Sequence, residues 1–408
     1  MLLDNNMENR VPILCERDRC TACGACEQSC PKEAISMKED EKGFLYPEIN
    51  EDKCVRCLVC EKKCSLVKGE RTLNEIPDVY ACWHKDINVR LQSSSGGAFS
   101  AIAEWVLENH GYVWGAGYKE NLQLAYLCVK DINDLDRIRR SKYVQSEVGN
   151  TFVQIKEQLK QGKLVLFTGT SCHIRGLLSF ISTEMKGNLI TIDFICHGVP
   201  SPKVFRKYLD WIENAYQDKL KEFNFRDKRY GWDNGVLTVG QFERIGERKF
   251  LNKENSYFYG MLHDLFIRPC CYQCLSNGLQ READFTIADF WGIGKYNAFV
   301  HENEKTKGIS LLALNSEKAK SMFYHGIKEK LYYEKRTLEE AYEGNWNYRF
   351  SARKNKQTHD FWQTFQQIDS WEELLYFFEP SFIEKCKLLI KRYGGPVIAN
   401  RLRKIMKK

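Results

Sequence analysis

The chain has 408 residues, 17 cysteines and a formal net charge of +7. It is too long for a ferredoxin alone, and a cysteine load of this kind in a large chain reads as metal binding rather than a disulfide framework. No apolar run approaches the length of a bilayer span, and the start, Met1-Leu2-Leu3-Asp4, lacks the order of a secretion signal, so a cytoplasmic, reducing setting is expected.

The first signal in chain order is a repeated cysteine spacing. Cys20, Cys23, Cys26 and Cys30 recur 34 residues later as Cys54, Cys57, Cys60 and Cys64. Three thiolates at i, i+3 and i+6 wrap one face of a cubane, and the fourth ligand comes from the other run, so two clusters interlock. Cluster 1 is therefore assigned to Cys20, Cys23, Cys26 and Cys64, and cluster 2 to Cys54, Cys57, Cys60 and Cys30. Pro31 follows the first run as usual, whereas Ser65 stands where the second would carry proline. Zinc sites rarely use four cysteines in so tight a run, and disulfides rarely pair at this spacing. Two 4Fe-4S clusters in a ferredoxin module over residues 1–72 are expected.

Glu70 to Asp78 reads as a polar linker. Strands are predicted at Val79–His84, Tyr112–Tyr118, Leu122–Val129, Leu164–Phe167, Leu189–Ile195 and Phe285–Ala288. Helices are predicted at Ala98–Glu108, Thr151–Lys160, from His173, and at Pro202–Glu213. This alternation implies parallel strands covered by helices. Residues 221–251 read as antiparallel hairpins, and the aromatic-rich chain beyond about 340 as helical.

Ligands of open α/β sheets sit at the carboxyl ends of strands. The loop Ser93-Ser94-Ser95-Gly96-Gly97 precedes a helix, and its hydroxyls and free N–H groups suit a phosphate or pyrophosphate. Gly169-Thr170-Ser171-Cys172 and Cys196-His197-Gly198 end two buried strands. Cys271 and Cys274, in the group Cys270 to Cys274, have metal spacing. With Cys172 and Cys196 they make a four-thiolate set for a third cubane, with Cys270 competing with Cys271; buried free cysteines are the alternative. Cys15, Cys82, Cys128 and Cys386 read as isolated structural cysteines, and His173 as a hydrogen-bonding loop residue. No GxGxxG fingerprint follows a strand, so no built-in nicotinamide site is expected.

Several segments together resemble the coenzyme F-420 hydrogenase/dehydrogenase beta-subunit family: Ser94 to Ala98, Ser141 to Ser146, Leu166 to Leu177, Cys196 to Pro202, Cys270 to Cys274 and Ala283 to Gly292. One departure is Ser171-Cys172-His173, where that family often has Pro-Cys-Gln. The resemblance implies an FAD-dependent oxidoreductase wired to cubane clusters. It implies that FAD is held by Ser94, Ser95, Gly96, Gly97, Lys142, Tyr143, Gln145 and Ser146, with Gly169 and Thr170 near its ring. Lys142 and His197 are the catalytic candidates, and Arg226 and Asp227 further polar groups on the substrate side, unless residues 225–228 are an ordinary surface turn. Ferredoxin or another low-potential carrier would donate single electrons, and FAD would reduce a small-molecule substrate. Related chains with a fused ferredoxin head resemble proteins found beside polysaccharide-synthesis genes.

The expected architecture is α+β/α/β. A small ferredoxin-like two-cluster module precedes an α/β flavin-binding domain with a mixed sheet, whose two parts span 78–155 and 156–335. A helical extension with a basic tail covers 336–408. Lys385 to Lys408 holds nine basic residues and no acidic one. This tail reads either as a peripheral membrane contact or as a helix pair packed on its own domain. The basic residues are confined to one end without a recognition motif, so no nucleic-acid partner is expected. An electron-transfer subunit serving a partner enzyme is the competing reading.

Overall fold

The computed structural model describes residues 10–69, 71–229, 231–232 and 237–379, with only the backbone of Asn252. Cys386 and the basic tail lie outside the described residues.

The ferredoxin module carries one antiparallel hairpin, β1 (Ile35–Glu39) with β2 (Leu45–Ile49), and short helices at Ala25–Gln28, Val59–Lys63 and Ser65–Lys68. The main sheet has eight strands: β3 (Asp78–His84), β4 (Tyr112–Tyr118), β5 (Leu124–Val129), β6 (Val165–Thr168), β7 (Leu189–Phe194), β11 (Phe285–Asp289), β12 (Ser310–Leu314) and β13 (Leu331–Arg336). Their order is β13-β3-β12-β11-β7-β6-β4-β5. Only β4, β6, β7 and β11 pair in parallel, and the flanks are antiparallel, so the sheet is mixed.

Strands covered on both faces read as nearly continuous apolar runs. In β12 every residue is buried. Along β6, Leu166 faces the helix Ala98–Glu108, while Val165 and Phe167 face the helices Thr151–Lys160 and Ser171–Phe180. The central β12 and the edge strand β13 were not predicted, because Leu311-Leu312-Ala313-Leu314 is too short for periodicity to separate strand from helix. The helix expected from His173 begins at Ser171, because Thr170 is extended and ends the strand connection.

The remaining strands, β8 (Leu220–Asp227), β9 (Leu237–Phe242) and β10 (Glu247–Phe250), form an antiparallel sheet, as the hairpin reading of 221–251 expected. It shares an aromatic core with the helices Pro202–Tyr216, Ser256–Leu262 and Thr358–Gln367 and with Phe44 and Tyr46 of the ferredoxin module. The Pro202 helix starts as its sequence dictates: the Ser201 hydroxyl accepts from the Val204 N–H at 3.2 Å, and proline takes the first position. Among the described residues no helix is long and apolar enough to cross a membrane.

Candidate functional site

The two cysteine runs have matching backbones. Ala22 and Arg56 have φ of 53° and 57°, and Gly24 and Leu58 have 72° and 56°. Left-handed turns aim successive N–H groups into one concavity, which suits an anionic cluster. Cys30, Cys54, Cys57 and Cys60 line one small cavity, with Cys57 exposed. Cys20, Cys23, Cys26 and Cys64 gather on the inner side, where the approach is close: a Cβ on Gly176 would sit 2.8 Å from the Cys23 Sγ. Burial, with the other three thiols adding, pushes the Cys26 thiol well up, whereas contact with Cys15 lowers Cys20 to about 6 and Cys64 to about 5. Among the described residues no three His, Cys, Asp or Glu side chains close on a single metal ion. Thiolates around a cube stand at its corners rather than around one atom.

Cys15 is not isolated, contrary to the sequence reading. It lies against Cys20 and Cys64, because Arg10 and the Ile13 N–H tie this segment to Glu61. Cys82 is fully buried and Cys128 partly so.

The third cysteine set also comes together. Cys172, Cys196, Cys270, Cys271 and Cys274 line a pocket of about 60 Å³, together with Asp18, Arg19 and Thr21 of the ferredoxin module. Cys270 lines it beside Cys271, with which it competes as a ligand. Desolvation pushes the Cys196 thiol up to about 12.

A larger cavity of about 490 Å³ lies at the carboxyl ends of β6, β7 and β11. Ser94, Ser95, Gly97, Lys142, Tyr143, Ser146, Gly169, Thr170, His197 and Arg226 line it. Gly97, at φ 98°, turns the serine loop into the helix Ala98–Glu108, leaving that helix N-terminus at the cavity wall. Ser94 Oγ accepts from the Ser141 N–H at 2.8 Å and so joins the two loops. Lys142 Nζ donates to the carbonyls of Arg139 (2.5 Å) and Arg140 (3.3 Å). Burial, with the like charge of Arg140 adding, lowers its pKa to about 7.

Three candidates are not on this cavity. Gly96 is pressed against the Cys82 carbonyl and the Ser310 N–H, where a Cβ would lie 2.3 and 2.6 Å away. Gln145 leaves its loop on the opposite side, donating to the Thr21 carbonyl at 3.3 Å and accepting from Arg268 at 3.1 Å. Asp227 pairs with Arg229 at 2.9 Å. Residues 225–228 are no surface turn, since Phe225, Arg226 and Lys228 are buried.

Other residues of the site escaped the sequence reading. His197 Nε2 lies 2.9 Å from Asp264 Oδ1. Burial works against the charged ring, but the carboxylate outweighs it and raises the His197 pKa. His173, already in a helix, is buried, and its Nδ1 is 2.8 Å from the Tyr126 hydroxyl. Burial lowers its pKa to about 4. Trp291 stacks on Trp232 at 4.3 Å, and with the exposed Trp346 it lines the cavity. Trp291 was signalled by its place at a strand end within the segment Ala283 to Gly292, whereas Asp264 carried no signal.

Residues 162–340 match the family model for the C terminus of the coenzyme F420 hydrogenase/dehydrogenase beta subunit, and residues 19–66 match a 4Fe-4S dicluster domain. Among solved structures, a chain of the F420-reducing NiFe hydrogenase complex from Methanosarcina barkeri is similar at 16% identity. The match covers 67% of this chain and 86% of that one, with a TM-score of 0.44. No curated protein matches. Residues 162–340 thus carry the C-terminal domain of a coenzyme F420 hydrogenase/dehydrogenase beta subunit, residues 19–66 carry a 4Fe-4S dicluster domain, and the chain is an iron–sulfur electron-transfer protein.

Proposed function

We propose that the chain is an iron–sulfur flavoprotein oxidoreductase. It takes single electrons from ferredoxin or a similar low-potential carrier and delivers them to FAD for the two-electron reduction of a small molecule. A setting in polysaccharide biosynthesis is part of the proposal and rests on the resemblance to polysaccharide-locus chains alone. The observation that carries this reading is a shared wall. Thr170, Cys196 and His197 line both the 60 Å³ thiol pocket and the 490 Å³ cavity, and the pocket's other side is the loop that enters cluster 1. A third 4Fe-4S cluster, on Cys172, Cys196 and Cys274 with Cys271 or Cys270, is part of the proposal.

The cavity volume is ordinary for a cofactor site, typically ~300–1,000 Å³. Bound FAD supplies the exchange between one-electron and two-electron chemistry. Ser94, Ser95 and the helix N-terminus behind them suit its pyrophosphate. Ile138, Val144, Phe258 and Met261 give the same cavity apolar walls that exclude water from a planar ring. Lys142 and His197 bring polar hydrogens to this space, and Asp264 holds the His197 ring in orientation.

Anaerobic purification with iron, acid-labile sulfide and flavin analysis tests this. About eight irons and one FAD are expected for two clusters and a flavin, and about twelve irons if the third cluster is present. Iron without flavin after every reconstitution overturns the oxidoreductase reading and leaves an electron-transfer subunit.

A further inference from the structure

Arg268 is fully buried, at 0% exposure, and a guanidinium is always charged. It meets three neutral oxygens and the Cys270 thiol, whose pKa it lowers after the larger effect of Cys271. Nε donates to the Cys20 carbonyl at 2.7 Å, Nη2 to the Leu45 carbonyl at 2.9 Å, and Nη1 to Gln145 Oε1 at 3.1 Å. Its plane lies over Tyr46, 4.4 Å from the ring centre. Among the described residues no carboxylate lies within ion-pair distance.

The other buried arginines behave differently. Arg90, Arg139, Arg175, Arg226, Arg281 and Arg336 each face a carboxylate within 4.0 Å. A buried charge without a counter-charge is strongly unfavourable, so the most buried arginine among the described residues needs one that their side-chain carboxylates do not provide. The acidic groups facing it are the thiols of Cys20, Cys270 and Cys271 and the Tyr46 hydroxyl. Cys20 is assigned to cluster 1, and Cys270 and Cys271 line the pocket of the third set. Thiolates bound to a cluster are anionic, and each electron the cluster accepts adds one more negative charge.

We propose that Arg268 is the fixed counter-charge of cluster 1 on the side facing the third thiol set, stabilising the reduced cluster and raising its reduction potential. It is a positioning and tuning residue, since it binds no iron. The inference rests on the reading of Cys20, Cys23, Cys26 and Cys64 as ligands. In the step concerned, a low-potential one-electron donor is oxidised and cluster 1 is reduced by one electron. No bond breaks, and the guanidinium keeps its protons.

The test uses the full chain, purified anaerobically, with iron analysis and a redox titration followed by electron paramagnetic resonance. The cluster 1 signal is identified as the one that Cys26→Ala removes. In Arg268→Gln the iron content is expected to match the parent. The equilibrium constant for reducing cluster 1 is expected to fall about tenfold, a downward shift of about 59 mV. Arg268→Lys keeps the charge but not the three-way hydrogen bonding, and is expected to titrate with the parent. Arg268→Gln with full iron and an unmoved potential overturns the inference, as does Arg268→Lys shifted as far as Arg268→Gln. If Arg268→Gln loses its iron, Arg268→Lys decides: retained iron and potential support the inference, and lost iron overturns it. A parent chain that takes up no iron overturns the cluster reading itself, a result distinct from full iron with an unmoved potential.

Discussion

At the scale of residues, the cluster module holds left-handed backbone where glycine is absent. Ala22, Arg56 and Leu58 each take up a conformation that costs an L-residue roughly 1–2 kcal/mol. Such strain persists where it serves a site, and here it shapes both cysteine runs alike. The repeat was legible as cysteines, but the strained positions between them were not, because alanine, arginine and leucine advertise no positive φ. Lys142 was legible as a candidate, though its environment was not. Burial lowers its pKa from 10.5 to about 7. Between those two values the unfolded chain holds a proton that the folded chain has released. Stability from this group therefore rises with pH across the window, and the cost of the buried charge is full below pH 7. In flavin-free protein, Lys142→Met is expected to raise the urea midpoint at pH 6 relative to the parent, with the advantage shrinking toward pH 10. An advantage independent of pH would refute the assignment.

Among the elements, the helix Ser171–Phe180 joins the two halves of the chemistry. Its first turn carries Cys172 of the third thiol set, and its Gly176 packs against Cys23 of the first. The ferredoxin module holds it through Arg175 Nη2, which donates to the Ser65 carbonyl at 2.9 Å, and through Lys63, whose Nζ donates to the carbonyls of Ser179 and Phe180 at 3.0 and 3.2 Å. A cation at those final carbonyls also complements the helix dipole. The neighbouring helix Thr151–Lys160 has no cap from its own Asn150. Instead Gln28 Oε1 accepts from the N–H groups of Phe152 (2.8 Å) and Val153 (3.2 Å). This cap comes from 124 residues away, so no local sequence rule finds it. Gln28→Ala is expected to lower stability by about 1 kcal/mol, the usual worth of an N-cap, in urea unfolding of the iron-loaded chain. A loss below a few tenths would show that the helix does not depend on it.

For the molecule as a whole, the thiol sets are graded in depth. Cys57 of cluster 2 is exposed, cluster 1 faces the inner helix, and the third set is enclosed between the module and the sheet. The proposed donor, and reagents that strip iron, are therefore expected to meet the set that contains Cys57 first. Chelation under mild oxidation is expected to release iron in two phases, about four irons rapidly and the rest slowly. Cys57→Ser is expected to lack the rapid phase. A single phase in the parent would contradict the graded depth.

The sequence by itself determined the cluster chemistry, the strand–helix alternation and most loops around the large cavity. These depend on local spacing and on apolar runs, which a chain carries wherever it folds. It took the folded chain to show that Gln145 turns from the cavity to Arg268, that Asp264 stands beside His197, that Cys15 joins a thiol set, and that β12 and β13 complete the sheet. Each of these depends on which distant segment supplies a partner. A buried polar or charged group takes its character from that partner, and nearness along the chain does not reveal it.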